Sequence, residues 1–207
     1  MESDRHEELF QNFSPQQLSR VFSLYCNRFK ALMARDGIEY VILFRNHGEK
    51  SGASIPHEHA QIISLPFIPK LLEKELRETS GKDFYDKLLE TQKPLLENQF
   101  FKAIVPEFGR FNYEVWIISK KHHRSMLEFS KAEGAAFMKL LAACTKKVFS
   151  ITDSYNVVFH NSPKLGDMHF HAEIYPRTGH WSGLEFGAGI YAKTVSAGTA
   201  LKKLRKA

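Results

Sequence analysis

An internal repeat constrains this chain more than any other feature of its sequence. Residues 40–46 read Tyr-Val-Ile-Leu-Phe-Arg-Asn and lead, through a polar glycine-bearing loop, to His57-Glu58-His59-Ala60. Residues 155–161 read Tyr-Asn-Val-Val-Phe-His-Asn and lead, through a second loop, to His169-Phe170-His171-Ala172. A long amphipathic helical pattern precedes each copy, and even the Phe-x-Asn ending of the first strand recurs. Several matches in the same order mark a duplicated supersecondary unit. The expected fold class is α+β, with a mostly antiparallel sheet flanked by helices, a first unit over 1–93 and a second over 94–207.

The local signals are specific. Ser14 is placed to cap a helix, Pro15 suits its first position and Gln17 can close a capping box. Leu18, Val21, Phe22, Tyr25, Phe29 and Leu32 follow at helical spacing, with Gly37 as the stop. Strands are predicted over 39–44 and 57–64, then a surface helix over 69–93 from its periodic leucines. A strand pair over 100–105 and 113–119, a second long helix over 130–151, strands over 155–159 and 168–175, and a terminal helix over 197–205 complete the pattern. No counterpart of the 100–119 strand pair precedes the first long helix, so the first unit is expected to be truncated at its N-terminus.

Composition narrows the class. Over 207 residues, 43% hydrophobic and 25% charged side chains describe a globular chain with a sizeable core, not a disordered one. No apolar run approaches the ~18 residues a membrane span needs, and the polar N-terminus has no signal-peptide core. A cytoplasmic protein without a membrane partner is the expectation. Cys26 and Cys144 form no CxxC pair and read as core thiols. The net charge of +6 suits phosphate-bearing ligands and nucleic acid alike. No nucleic-acid motif accompanies the basic stretch at 202–206, so it reads as a solvated face. His122 and His123, after Lys120 and Lys121, read as a solvated cationic turn.

Alternation along a strand puts His57, His59 and Gln61 on one face and Glu58, Ala60 and Ile62 on the other. Polar groups in a row on an apolar strand are costly to bury without a ligand or partner. The loop 46–54 carries glycines that let backbone amides approach an anion. An imidazole beside it is nucleophilic when neutral near pH 7, and its phosphoramidate is reactive enough to pass the group onward. An isolated HxH is more often a satisfied strand pair or a metal site. Asn46, Gly52, Ser54 and Gln61 turn this one towards phosphate chemistry.

Asn46-x-Gly48, Gly52-Ala53-Ser54 and His57-x-His59-x-Gln61 resemble the active-site signature of the galactose-1-phosphate uridylyltransferase family, a branch of the histidine-triad superfamily. The stretches 111–123, 169–177 and 184–196 resemble its second unit and C-terminal tail. Glu58 departs from the proline usual between the two histidines. The resemblance implies two histidine-triad-like units, usually paired as a homodimer. It implies a ping-pong nucleotidyltransferase moving UMP between UDP-glucose and a hexose 1-phosphate through a nucleotidyl-His59 intermediate. Gln61 would bond the transferred phosphoryl group, while Asn46 and Ser54 would hold its oxygens. A nucleotide sugar and a sugar phosphate are then the partners, with no nucleic acid. Transfer of AMP by the same His59 chemistry, as in ADP-sugar phosphorylases, is the neighbouring reading, and a non-catalytic nucleotide-binding remnant the distant one. The resemblance further implies zinc held by His6 and His57 together with a cysteine pair that this chain lacks. A second site for iron or zinc would use Glu75, His160, His171 and Glu173, the last a departure from the family's usual histidine.

Overall fold

The structure, a computed structural model, describes residues 2–6, 8–79 and 83–207. Its strands are β1 (Tyr40–His47), β2 (Ala60–Leu65), β3 (Pro94–Glu97), β4 (Phe101–Ile104), β5 (Val115–Ser119), β6 (Tyr155–His160) and β7 (His171–Pro176). They form one seven-stranded sheet in the order β2-β1-β6-β7-β5-β4-β3, with every neighbouring pair antiparallel. The helices are α1 (Pro15–Met33), α2 (Lys70–Thr79), α3 (Phe84–Thr91), α4 (Lys131–Phe149), α5 (Gly183–Ala188) and α6 (Ala197–Lys206). The α+β class and the antiparallel sheet read from the sequence are therefore as observed.

One face of the sheet is sealed by α1 and α4. Ser14 caps α1 by accepting the Gln17 N–H, and Ser130 and Glu133 form a complete capping box on α4. Gln17 closes no box; its amide instead donates to the Glu2 carbonyl and to Glu8. Val41, Leu43, Val157, Phe159, Ala172 and Ile174 point into this side and share one core with Leu18, Tyr25, Phe29, Phe137 and Leu141. Gly134 lets α4 come close to α1, because a Cβ there would run into the Phe22 ring. Cys144 is buried in that core and Cys26 half-buried, both as free thiols.

The opposite face is covered only in part. Leu72 of α2 packs on Tyr40 and Met168, while Tyr85 and Leu88 of α3 pack on Ile104 and Ile118. The single helix expected over 69–93 is thus two, on either side of residues 80–82, which lie outside the described residues. Two further elements, β3 and α5, are too short for periodicity to reveal. The strand expected from residue 113 begins at Val115, because Tyr113 takes a left-handed φ of 62°. That turn is held by the Glu114 carboxylate, which accepts the N–H groups of Arg110 and Phe111 at 2.6 and 2.8 Å.

The ladder refines the repeat. Arg45 pairs with Ala60 in the first unit, whereas Phe159 pairs with Ala172 in the second. The structural counterpart of Asn46 is therefore His160, one residue before the Asn161 that the sequence match suggests. Strand side chains alternate, so this single step exchanges faces. His160, like Asn46, lies on the partly open face. Asn161 is fully buried and accepts from Ser125 and from the Met126 N–H.

Phe137 sits at the centre of the sealed face, with its ring 5.4 Å from those of Phe101 and Phe170 and 5.8 Å from that of Phe159. Phe137→Ala should lower the free energy of unfolding by about 3–5 kcal/mol, the usual cost of so large a buried void, as measured by chemical denaturation.

Candidate functional site

The first histidine strand enters the sheet later than its sequence suggests. β2 starts at Ala60, so His57, Glu58 and His59 form its lead-in rather than its first rungs. The imidazole Nδ1 of His59 lies 2.7 Å from the carbonyl oxygen of His57. A carbonyl only accepts, so Nδ1 carries the proton and Nε2 keeps its lone pair. Backbone geometry alone therefore sets the tautomer a nucleophile requires. Extending the β1–β2 register by one residue brings Asn46 level with His59, as His160 is opposite His171. Gln61 follows on the exposed face of β2.

Asn46, Ser54 and His57 line a cleft of about 420 Å³ together with His47, Gly48 and Asp153. His59 and Gln61 are not among its lining residues; they follow it along the chain. The loop forming its wall depends on two glycines with left-handed φ, Gly48 at 79° and Gly52 at 80°. A Cβ on Gly48 would collide with the Asp153 carbonyl and with Ser154, whereas Gly52 has open space around it. The Asn46 side-chain Oδ1 accepts from Asn156 Nδ2 at 2.8 Å, which leaves the Asn46 Nδ2 group without a partner among the described residues. The same Asn156 group reaches the Ser51 carbonyl at 2.9 Å and fixes the loop against β6.

Behind the histidines lies an ionic cluster. Arg45 is 1% exposed and pairs with Glu2 and, at 2.5 Å, with Glu58. The other Glu58 oxygen takes the Phe10 N–H at 3.1 Å and His47 Nδ1 at 3.0 Å. Burial alone would raise the Glu58 pKa, but the hydrogen bond from His47 and the charge of Arg45 outweigh it and hold it at about 2. The residue that departs from the expected proline therefore ties the histidine lead-in to β1 and to the cleft wall. Sequence reasoning gave Arg45, His47 and Glu58 no role. The signal was parity: Arg45 shares a strand face with Val41 and Leu43, where a lone charge is untenable.

His57 is buried, and its Nε2 donates to the Ser3 carbonyl at 2.7 Å. Its Nδ1 lies 3.3 Å from that of His6, so the two candidate zinc ligands do meet. Among the described residues no third histidine, cysteine or carboxylate joins them in a metal-competent group.

The second histidine strand gathers a fuller donor set. Glu75, from α2, places its oxygens 3.0 Å from His160 Nδ1 and 3.4 Å from His171 Nε2. Ligand atoms of these three residues lie within 4.8 Å of one another. His171 repeats the arrangement of His59, with Nδ1 3.1 Å from the His169 carbonyl, so its Nε2 lone pair points inward. The Nε2 atoms of His160 and His171 are buried without a hydrogen-bond partner. Such orphans, facing a carboxylate, fit zinc or iron. Burial alone would lower the His160 pKa, but Glu75 and Glu173 raise it to about 10; against its own burial, Glu75 is held at about 2 by His160 and His171. A proton thus balances these carboxylates where a divalent cation would displace it. Glu173 reaches the same imidazoles at 3.4–3.5 Å, but it also binds Arg110 at 2.9 Å and the Tyr175 hydroxyl.

A duplicated strand carrying paired histidines, beside a glycine loop and joined into one antiparallel sheet, defines an α+β fold of two histidine-triad-like units. Residues 1–68 match the family described as the N-terminal domain of DUF4931, a domain of unknown function. Galactose-1-phosphate uridylyltransferase of Thermotoga maritima is 33% identical over 177 residues, covering 77% of this chain and 56% of its own length. ADP-glucose phosphorylase of Arabidopsis thaliana is 26% identical over 225 residues, covering 100% of this chain and 63% of its own. The crystal structure of an Arabidopsis thaliana ADP-glucose phosphorylase with bound ADP-glucose superposes with a TM-score of 0.92 at 24% identity, over 100% of this chain and 71% of that one. The chain is a relative of the galactose-1-phosphate uridylyltransferase family, and spans 56% and 63% of the two curated relatives.

Removing one partner from the buried cluster leaves the other uncompensated. Glu58→Ala should cost about 3–5 kcal/mol of stability, measured by denaturation at neutral pH. Because the folded carboxyl has the lower pKa, its contribution is complete above the ordinary value of 4.5 and is lost as pH falls towards about 2. Glu58→Gln should lack that component of the acid transition.

Proposed function

We propose that the protein is a nucleotidyltransferase acting on a nucleotide sugar and a sugar 1-phosphate through a covalent nucleotidyl-His59 intermediate. The observation that carries this reading is the 2.7 Å hydrogen bond from His59 Nδ1 to the His57 carbonyl, which leaves the Nε2 lone pair of His59 available two residues after His57, the last residue of that stretch to line the cleft. Nε2 attacks the α-phosphorus of the nucleotide sugar. The bond from that phosphorus to the bridging oxygen breaks, and the sugar 1-phosphate leaves with the electron pair. A second sugar 1-phosphate then attacks the phosphoramidate, restores the imidazole and departs as the new nucleotide sugar.

Negative charge spreads over the non-bridging oxygens during each step, so donors fixed in advance carry much of the catalysis. The free Asn46 amide, Ser54 and the backbone of the loop around Gly52 are those donors, and Gln61 bonds the transferred group. UMP is the transferred nucleotide in the first reading, following the uridylyltransferase relatives. AMP is the second, favoured by a phosphorylase relative whose match extends over 100% of this chain. In the proposal the two units, 1–93 and 94–207, act within a homodimer. Glu75, His160 and His171 would hold zinc or iron, which would pin α2 across β6 and β7. His6 and His57 would supply two ligands of a zinc ion at the N-terminal end.

Intact-mass spectrometry after incubation with UDP-glucose or with ADP-glucose tests the reading. An acid-labile UMP or AMP increment that maps to His59 is expected, with none on His59→Ala. Absence of any adduct with either donor overturns the covalent mechanism. An AMP adduct alone overturns only the uridylyl assignment.

A further inference from the structure

The helices that seal one face of the sheet turn a one-sided chemistry to solvent. α4 packs against both α1 and α6, and the three carry eleven lysines and arginines against a single carboxylate, Glu133. All of these cations but the half-buried Lys147 are exposed. Among the described residues none of them forms an ion pair. Glu133 is committed to the α4 capping box, where it takes the Ser130 N–H at 2.8 Å, and its other oxygen lies 3.4 Å from His123. Glu128, in the 3₁₀ turn Met126–Glu128 before α4, accepts the Arg124 N–H at 2.9 Å. So many unpaired like charges on neighbouring helices set up a positive field over this side of the molecule. A groove of about 590 Å³ opens in the same surface, where α1 meets that turn and the start of α4. Its lining on α1 recurs at helical spacing from Ser19 to Lys30, over about 16 Å. Phe22, Cys26, Met126, Leu127 and Phe129 supply its apolar surface, and Lys30 and Lys131 are its only charged lining residues among those described. The Ser19 and Ser23 hydroxyls turn back to the Pro15 and Ser19 carbonyls at 2.9 Å, so neither needs a partner in the groove. Burial pushes the Cys26 thiol up to about 11, which makes it apolar surface and not a nucleophile.

We propose that this groove is a docking site for an acidic amphipathic helix of a partner protein, whose apolar stripe sits between α1 and α4 and whose carboxylates meet Lys30 and Lys131. An apolar groove about three helical turns long and bordered by cations alone is the complement of such a helix in shape and in charge. Concavity favours this occupant over other polyanions. A bilayer takes up apolar groups that protrude, whereas here Phe22, Cys26 and Phe129 are half-buried and Met126 is buried. A nucleic-acid duplex offers phosphates to the lysines but no apolar side chain to fill the recess, and an unpaired base stacks on a ring that is open to solvent. Cations outside the groove, Arg20, Arg28 and Lys139 among them, steer the same partner and raise its association rate without touching it. The groove lies on the sealed side of the sheet, so the inference stands apart from the chemistry proposed for the partly open face.

The test is fluorescence anisotropy of a labelled synthetic helical peptide, with leucines at three-four spacing on one face and glutamates on the other, titrated with the full chain at physiological salt. We expect saturable one-to-one binding, weaker by about tenfold or more when the same residues are scrambled so that the stripe is lost. Ser23→Trp, at an exposed position in the groove, should fill the recess and weaken binding by about ten- to a hundredfold. The double variant Lys30→Glu, Lys131→Glu should weaken it by about tenfold or more. Both variants replace exposed side chains and should keep the wild-type circular dichroism. If the wild-type chain does not bind the peptide saturably, the proposal is overturned. Equal affinity for the scrambled peptide, or unchanged affinity in Ser23→Trp, overturns it too, since only diffuse charge attraction would then remain. Tighter binding of a DNA duplex or of phosphatidylserine vesicles, lost in the same variants, would assign the surface to that class and overturn the helix. The scrambled-peptide comparison uses the wild-type chain alone and decides the matter even if a variant fails to fold.

Discussion

The antiparallel ladder between β1 and β6 is the constraint on which the rest of the molecule depends. It joins the strands of the two units into one seven-stranded sheet, and it sets which side chains of each strand face the helices. Leu43 lies against Phe159 and Asn46 against Asn156. From that second pair the Asn156 amide reaches both the Asn46 side chain and the Ser51 carbonyl, at 2.8 and 2.9 Å. The second unit therefore positions the loop of the first. A shift of one residue would turn Asn46 towards α1 and bring the Arg45 charge to the open face.

On this scaffold one backbone device appears twice. An imidazole Nδ1 donates to the carbonyl two residues earlier, in His59 and again in His171. Each ring is thereby committed to presenting Nε2 as a lone pair. What differs is the company. Asn46 and Gln61 are neutral donors and acceptors suited to phosphate oxygens, while their counterparts His160 and Glu173 add a second imidazole and a carboxylate. Covering differs too. Tyr85 of α3 sits 5.0 Å from both His169 and His171, and α2 delivers Glu75, whereas the first histidine strand has no such helix over it among the described residues.

Much of this was legible because the relevant signals are local. The caps at Ser14 and Ser130, the glycines at 48 and 52 and the paired histidines each carry their chemistry within a few residues. The true register of the repeat was not legible. Phe-x-Asn occurs at both strand ends, and only hydrogen bonding across the sheet shows that Asn46 answers to His160. The break between α2 and α3 escaped because leucine spacing continues through both helices. The Arg45–Glu58 pairing spans a loop, and Glu2 reaches it from the chain's beginning. Such long-range partnerships leave only one trace in sequence, a charge on a strand face otherwise reserved for the core.

That charge has a structural logic. Burying a guanidinium is unfavourable unless carboxylates and hydrogen bonds surround it, and even then the exchange roughly breaks even. Arg45 is met by Glu2, Glu58 and the Tyr25 hydroxyl at 2.8 Å, and it lies 4.1 Å above the Phe10 ring. These partners come from the N-terminal segment, α1 and the histidine lead-in, none of which is hydrogen-bonded to β1 as a strand at those positions. An apolar residue at position 45 would pack against them without preferring one arrangement. A charged one is satisfied in a single geometry, and that geometry fixes the peptide between His57 and His59. Since the His57 carbonyl sets the His59 tautomer, the buried ion cluster and the proposed nucleophile are two ends of one short piece of chain.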